Sequence, residues 1–233
     1  MIGTELLDDP RADPVLVGRE LRDIARLNAL FGGTRAVVRE LEPFFERRRR
    51  DMGNGKRETW TLLDIGTGSG DIALAASAAA RRRGIDLKGI GLELNPTAAR
   101  IASTAGVPTI VADGNALPVG SRSVDVIVAS QVLHHLPRAV AVRWLGTFDR
   151  VARRAVVLAD LRRSRVAMAA VWAASVGLAM SAVTRHDAVV SLKRGYTLPE
   201  FRAMLHAAGV TAVVRYHRGF RIVASWAPDC RCQ

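Results

Sequence analysis

The sequence predicts an α/β protein with a doubly wound parallel sheet. A short apolar run over Trp60–Ile65 breaks into a glycine-rich turn and then into an alanine-rich helix, Asp71–Arg83. Strand-like and helix-like segments then alternate, which is typical of parallel sheets with right-handed crossovers. The chain has 233 residues, 49% of them hydrophobic, which is enough for one such domain with accessory elements.

Cysteine usage and charge limit the classes of function. Only Cys230 and Cys232 occur, both in a polar tail, so a disulfide framework is excluded and a metal site there is a poor prediction. We predict no metal ligands, and a reducing cytoplasm fits this composition. The first residues lack the basic-then-apolar order of a signal peptide. The formal net charge of +12 favours anionic partners, although the arginine runs lie where helices should end and are interpreted as solvated helix termini.

Residues 1–55 are predicted to form an N-terminal helical cap outside the main domain. Asp13 and Pro14 are typical of a helix start, and Gly32-Gly33 marks its end. A second helix is expected to run to about Arg50, followed by an exposed linker. Residues 56–233 are then the ligand-binding domain.

The remaining elements of this domain follow in order. Asn95-Pro96 caps a helix that closes at Gly106, another helix is expected near Arg138–Arg150, and Thr197–Glu200 is a capping box for a helix that stops at Gly209. The further strands are predicted at Leu87–Glu93, Pro108–Val111, Val124–Ala129, Ala155–Ala159, Val210–Arg215 and Phe220–Trp226, with the last two as a hairpin.

An insert, residues 161–196, separates the fifth strand from the capping box. Val166–Val183 contains no charged residue and is just long enough to raise the question of a membrane span. Because it is alanine-rich, interrupted by serine and glycine, and flanked by arginine, we predict a buried or interfacial helix that serves as a lid.

The glycine-rich turn indicates the ligand. Gly66, Gly68 and Gly70 permit close approach of a ligand to the backbone, and the following helix offers free N–H donors to an anionic group. Asp71 stands where a dinucleotide fingerprint needs a small residue, and no lysine follows as a phosphate loop requires. Asp64 suits a ligand with a positive amino group beside its carboxylate. S-adenosylmethionine has such an end and carries no phosphate.

The segment Asp64–Gly70 resembles the first motif of class I S-adenosylmethionine-dependent methyltransferases, D-x-G-x-G-x-G. The resemblance implies a Rossmann-like seven-stranded sheet, a lid over the acceptor, and S-adenosylmethionine as cofactor. Glu93 ends the second strand, where a carboxylate can accept both ribose hydroxyls. The other cofactor contacts predicted are Thr67 in the loop, Leu94 on the adenine, Asp113 at the adenine amino group, and Gly114 and Ser130.

The loop after the fourth strand carries paired histidines, His134 and His135. Methyl transfer to a phenol needs the phenolate, yet only about one phenol in a thousand is ionised at pH 7. Histidine is well suited to take that proton, and a positioned base contributes roughly 10²–10⁴-fold in rate. We predict that one of the pair faces the acceptor and prefer His135.

A narrower resemblance rests on Leu133–Leu136, Asp160–Arg163, Val183–Asp187 and the N-terminal stretch Leu21–Gly33. These segments are similar to small methyltransferases found with bacterial type III polyketide synthases and, more distantly, to quinone-biosynthesis methyltransferases. The resemblance implies an acceptor pocket. Its predicted lining residues are Asn28, Phe31, Arg162, Arg185 and His186.

The sequence therefore predicts methyl transfer to a hydroxyl of an aromatic, polyketide or lipid-like small molecule. C-methylation of a quinol or resorcinol ring is an open alternative, since it needs the same phenolate. A non-catalytic nucleic-acid-binding protein is a second alternative, but aromatic residues make up only 5% of the chain, too few to interleave with basic patches. The expected partner is an apolar or phenolic acceptor, with peripheral association to an anionic membrane as a further expectation. The oligomeric state is not predicted.

Overall fold

The computed structural model describes residues 3–52, 58–117 and 119–228. Its centre is a seven-stranded sheet with the order β3-β2-β1-β4-β5-β7-β6, in which only the pairings of β7 are antiparallel. The strands are β1 (Glu58–Ile65), β2 (Ile85–Glu93), β3 (Thr109–Val111), β4 (Val124–Ser130), β5 (Ala152–Leu161), β6 (Val213–His217) and β7 (Arg221–Trp226). This is a Rossmann-like doubly wound sheet with seven strands, and the predicted fold class is confirmed.

The helices cover both faces of the sheet. They are α1 (Pro14–Phe31), α2 (Gly33–Met52), α3 (Asp71–Arg81), α4 (Pro96–Thr104), α5 (Arg138–Val151), α6 (Arg165–Gly177), α7 (Ala182–Arg194) and α8 (Leu198–Ala207). Because strand side chains alternate between faces, Val126 and Val128 pack with α2 and α3, whereas Ile127 packs with α5 and α8. Two buried clusters therefore hold the sheet between helical layers.

The N-terminal helices join the sheet through local signals that the sequence carries. Asp13 accepts N–H bonds from Val15 and Leu16 at the start of α1, and Gly32 ends the helix in the left-handed region. The following helix, α2, lies against α3 and β5. The predicted boundary at residues 55 and 56 lies outside the described residues, so the division into cap and domain stays a prediction. Cys230 and Cys232 also lie outside the described residues.

The insert differs from the single long helix that its apolar stretch favours. It forms α6 and α7, separated by a turn in which Ala179 has a positive φ. Ser181 begins α7 by accepting the N–H of Thr184. Throughout the described ranges, no helix is long and apolar enough to cross a membrane.

One edge of the sheet collects the ends of several strands. Ile65, Glu93, Ser130 and Leu161 end β1, β2, β4 and β5 at this edge. Since β7 runs antiparallel, its first residue, Arg221, pairs with Leu161 at the same edge. The carboxyl edge of a parallel sheet is where α/β folds bind their ligands.

Candidate active site

A cavity of about 400 Å³ lies over this edge of the sheet. The glycine-rich loop and the ends of β2 and β4 line one side, and α1, α7 and the segment before α1 line the other. Ligand sites commonly have about 300–1,000 Å³ and mostly apolar walls with a few polar groups. We call the side formed by the glycine-rich loop and the strand ends the loop side, and the opposite side the helix side.

The glycine-rich loop has the backbone that its composition predicts. Gly66 and Gly68 have φ values of 66° and 55° and both line the cavity. A Cβ on Gly66 would lie 2.5 Å from a methyl of Val132. Gly70 also has a positive φ, but it lies outside the lining, and a Cβ there would come within 2.9 Å of Val107. Gly70 therefore allows close packing beneath the loop, and its predicted contact with the cofactor does not fit this position.

Asp64 is placed differently from the prediction. The side chain is 1% exposed and outside the lining, and its Oδ2 accepts the Thr67 hydroxyl at 2.9 Å. Burial raises the pKa of Asp64 to about 7. The carboxyl thus supports the loop from below instead of reaching the ligand. Asp71 lines the cavity in its place, with Oδ2 accepting the Thr34 hydroxyl at 2.6 Å.

Glu93 lies against the glycine-rich loop. Its Oε2 accepts the N–H of Gly68 at 3.0 Å, and its Oε1 accepts the N–H groups of Leu94 and Asn95. These bonds fix the carboxylate at the cavity wall, where it is placed to meet the hydroxyls of a sugar. Leu94 is 46% exposed and lines the cavity beside it.

Three further predicted cofactor contacts line the cavity. Asp113 accepts the N–H of Asn115 and caps the short turn Gly114–Ala116. Gly114 is buried over Trp144, and a Cβ at this position would lie 2.4 Å from the indole ring. Ser130 lies at the end of β4 in the centre of the edge. Apart from Asp64 and Gly70, the predicted cofactor contacts thus lie in the lining, and their roles stay predictions.

His134 is a buried histidine with one free ring nitrogen. Its Nδ1 lies 2.6 Å from Oδ1 of Asp160, and its backbone N–H donates to Oδ2 of the same carboxylate at 3.2 Å. This pairing places the proton of a neutral imidazole on Nδ1. Nε2 is buried and has no hydrogen-bond partner within the described residues. The residue lines the cavity, and Nε2 lies 3.9 Å from Oε1 of Glu5, another lining residue.

His135 is tied to charged neighbours. Its Nδ1 lies 2.6 Å from Oδ1 of Asp8, and Nη1 of Arg194 is 3.4 Å away. Burial lowers the pKa of His135, but the hydrogen bond to Asp8 and the charges of Glu5 and Asp8 outweigh it and raise the pKa overall. The preferred base of the sequence prediction is therefore the histidine already engaged in an ion-pair network.

The segment before α1 closes the helix side of the cavity. Arg194 donates to Asp8 Oδ2 at 2.9 Å, to Glu5 Oε1 at 3.1 Å and to the Gly3 carbonyl at 2.6 Å. The Leu6 N–H donates to Asp187 at 2.7 Å. Glu5, Asp8 and Leu7 line the cavity. Sequence reasoning missed this segment because nothing local indicates where it folds back.

Glu5, His134 and His135 bring three donor atoms within 4.8 Å of one another, which is a spacing that a metal ion can use. The Arg194 guanidinium lies 3.1 Å from Glu5 Oε1, and its positive charge opposes a cation there. The expectation of a metal-free site stays a prediction.

Two of the predicted acceptor residues line the cavity. Asn28 accepts bonds from Gln131 Nε2 at 3.0 Å and from Arg221 Nη2 at 2.7 Å, and Phe31 lies against Phe220. Asn28 is buried, and its carbonyl oxygen joins α1 to the sheet edge.

The other three predicted acceptor residues do not line the cavity, and their roles stay predictions. Arg162 lies with its guanidinium 4.1 Å over the ring of Tyr216, outside the lining. Arg185 and His186 lie on α7 but outside the lining, whereas Thr184, Asp187, Ala188 and Ser191 line it. These four positions follow the helical spacing of one face of α7, and residues 185 and 186 do not belong to that face.

Glu20 adds a buried carboxyl to the helix side. Its Oε2 accepts the Thr184 hydroxyl at 2.7 Å, and the same hydroxyl lies 3.0 Å from Asp23. Burial raises the pKa of Glu20 to about 7, assisted by the charges of Asp187, Asp23 and Glu5. Unlike Asp8, this carboxyl has no cationic hydrogen-bond partner in the described part of the chain.

Arg221 is a functional candidate that the sequence did not indicate. It is 4% exposed, lines the cavity, and has two guanidinium nitrogens, Nε and Nη1, buried without a partner in the described residues. A search along the carboxyl ends of strands passes over it, because it begins an antiparallel strand. The same search does find Asp160, since it lies near the carboxyl end of β5.

Comparisons with known proteins agree with this geometry. Residues 62–155 match the family described as methyltransferase domain. An uncharacterized methyltransferase of Mycobacterium sp. (strain JLS) is 38% identical over 77 residues, which are 33% of this chain and 29% of that protein. The match thus spans less than a third of the length of this curated relative.

Solved structures share the fold at low identity. A SAM-dependent methyltransferase from Aquifex aeolicus aligns with a TM-score of 0.55 and 17% identity, over 88% of this chain and 98% of that one. The CurJ carbon methyltransferase aligns with a TM-score of 0.53 and 15% identity, over 76% of this chain and 50% of that one.

Residues 62–155 match a methyltransferase domain, and the rest of the sheet completes a fold that the solved methyltransferase structures share. The cofactor is S-adenosylmethionine, as the sequence predicted. The cradle of Gly66, Gly68 and Glu93 fits this molecule, which needs close backbone approach and a carboxylate for its sugar.

Proposed function

We propose that this chain transfers a methyl group from S-adenosylmethionine to a hydroxyl of an apolar or phenolic small molecule, with His134 as the general base. The observation that carries the proposal is that His134 lines the cavity and its buried Nε2 has no hydrogen-bond partner among the described residues, while Asp160 holds the opposite ring nitrogen.

The bound donor supplies an electrophilic methyl group on a sulfonium centre. His134 Nε2 takes the proton of the acceptor hydroxyl as the oxygen gains the methyl group, so the base holds the proton that the product releases. Asp160 orients the imidazole and stabilises its protonated form. Oε1 of Glu5, 3.9 Å from Nε2, adds a second negative charge beside the forming imidazolium.

The walls of the helix side support an apolar acceptor. Leu21, Ile24, Leu27, Phe31, Val171, Leu192 and Phe220 line the cavity. Holding an acceptor against these side chains orients it toward the donor. Good orientation of the reactants lowers the activation free energy by up to about 7–11 kcal/mol. Aromatic polyketides and lipid-like phenols, including those of the type III polyketide and quinone systems, belong to this chemical class.

C-methylation of a quinol or resorcinol ring is a second candidate, because the same deprotonation by His134 activates a ring carbon. An assay with alkyl-substituted resorcinols separates the two, since a methoxy product and a ring-methyl product differ in their carbon NMR shifts.

Peripheral association with an anionic membrane stays a proposal. Val166 and Trp172 on α6 are 68% and 55% exposed, and Arg165 is the first residue of this helix. An apolar acceptor dissolved in a membrane would meet this part of the lid first. Sedimentation with vesicles of anionic and of neutral lipid tests the association.

The base is tested by comparing His134→Ala with His135→Ala. Loss of the base should lower turnover roughly 10²–10⁴-fold for His134→Ala, with S-adenosylhomocysteine affinity unchanged. His135→Ala should lose less than tenfold. Asp160→Asn, which keeps the shape but not the charge, should follow His134→Ala. Equal turnover of wild type and His134→Ala in folded protein would reject the proposed base.

A further inference from the structure

Arg221 is a buried cation whose hydrogen bonds are incomplete. Nη2 donates to Asn28 Oδ1 at 2.7 Å, but Nε and Nη1 are buried without a partner in residues 3–52, 58–117 and 119–228. Buried donors are normally satisfied, and guanidinium groups are strongly suited to carboxylates and phosphates. The two N–H groups of Arg221 without a partner therefore indicate an anionic group of a ligand as their acceptor.

The charge of Arg221 is also uncompensated at short range. Within the described residues, no carboxylate lies within 4.0 Å of its guanidinium. Burial lowers the pKa of Arg221 to about 10, and the charges of Asp160 and Asp71 act against this decrease. The side chain therefore stays protonated at neutral pH. These two carboxylates act on Arg221 through charge alone and leave its Nε and Nη1 without an acceptor.

The position of Arg221 along the sheet edge identifies the ligand group. Glu93, which meets the sugar in our proposal, ends β2, and Arg221 begins β7, four strands away in the order β2-β1-β4-β5-β7. Four spacings of roughly 4.8 Å place their backbones about 19 Å apart. The two side chains shorten this span, and both line one cavity. Gly66 and Ser130, at the carboxyl ends of β1 and β4, lie between Glu93 and Arg221 along this edge.

We propose that Arg221 binds the carboxylate of the methyl donor's amino-acid end, and that Asp71 receives the ammonium group of the same end. The inference rests on the proposed function, because it takes S-adenosylmethionine as the ligand. Both lining residues lie beside the start of α2, because a Cβ on Gly33 would be 3.0 Å from Nη2 of Arg221 and the hydroxyl of the next residue, Thr34, donates to Asp71. Asn28, held by Gln131, fixes the guanidinium in this place.

The direct test compares two ligands that differ only in the carboxylate. Calorimetry should show S-adenosylmethionine binding Arg221→Met about 10–100-fold more weakly than wild type. Decarboxylated S-adenosylmethionine, which keeps the sulfonium and the ammonium, should bind both proteins equally. Arg221→Lys should retain part of the preference. Arg162→Met is the matched control, since Arg162 lies outside the cavity and should leave both affinities unchanged.

Thermal unfolding separates ligand binding from damage to the fold. Without ligand, Arg221→Met should be at least as stable as wild type, because the change removes a buried and incompletely bonded charge. The stabilisation given by S-adenosylmethionine should shrink in this variant. If wild type fails to bind S-adenosylmethionine, the proposed function fails. If wild type binds it and Arg221→Met binds it equally well, only this inference fails, and a carboxylate of the acceptor becomes the partner to test.

Discussion

The two sides of the cavity are held together in different ways. On the loop side, backbone groups make the decisive bonds: Glu93 accepts the N–H of Gly68, and Asp113 accepts the N–H of Asn115. On the helix side, charged and polar side chains meet across the chain, as in the ion pair Arg194–Asp8 and the hydrogen bond from Thr184 to Glu20. The loop side is therefore a fixed frame, whereas the helix side depends on groups that titrate and on a few ion pairs.

The largest expected effect is on the fixed frame. Gly68→Arg should reduce S-adenosylmethionine affinity at least about 100-fold, because a side chain at φ 55° strains the loop and fills the space that the ligand needs. Gly84→Arg is the matched control, since Gly84 also has a positive φ, 78°, but nothing lies within 4 Å of its would-be Cβ. Calorimetry measures both. Equal affinities for the two variants would contradict the assignment of the loop.

A smaller effect concerns the titrating groups of the helix side. The pKa of Glu20 is raised to about 7 in the fold, so its contribution to stability is full below its unfolded pKa near 4.5 and is lost as pH rises through 7. Glu20→Gln should therefore be more stable than wild type at pH 8, by about 1–3 kcal/mol, and nearly equal at pH 5. Urea unfolding at the two pH values measures this.

The control for that experiment is Glu46→Gln. Glu46 is exposed and paired with Arg83, so its variant should show little difference between the two pH values. If Glu20→Gln behaves in the same way, the buried carboxyl is not an uncompensated charge, and the contrast between the two sides weakens.

The smallest expected effect is on the ion pairs that hold the N-terminal segment. Arg194→Met removes the bonds to Asp8 and Glu5 and should raise the acceptor KM about three- to tenfold, with S-adenosylmethionine affinity unchanged. Steady-state kinetics with an alkyl-substituted resorcinol measures the change. Lys193→Met, at an exposed neighbouring position, should match wild type. If Arg194→Met also weakened S-adenosylmethionine binding, the two sides of the cavity would not act independently.

The difference between the two sides of the cavity also explains which site residues could be predicted from the sequence. On the loop side, Glu93 ends β2 and Gly66 and Gly68 come within three residues of the end of β1, so local pattern and the carboxyl-edge rule place them together. On the helix side, Leu6 contacts Asp187 and Asp8 contacts Arg194 across most of the chain, and no local pattern encodes such pairs.

Three sequence predictions differ from the placement that the structure gives, each for a physical reason. The sequence predicts Arg185 and His186 in the lining because it does not fix which face of α7 turns inward. It predicts Asp64 at the ligand because a motif position does not reveal burial. The preference for His135 over His134 stays a sequence prediction, and only the structure shows that Asp160 holds one ring and Asp8 the other.

The unsatisfied Arg221 has a consequence for the protein in the cell. Each buried donor left without a partner lowers the free energy of unfolding by about 1–3 kcal/mol. A ligand that supplies the missing acceptors restores this amount, and by mass action the folded population then rises with ligand concentration. Since proteases remove the unfolded form, the abundance of this chain is expected to track the supply of its methyl donor.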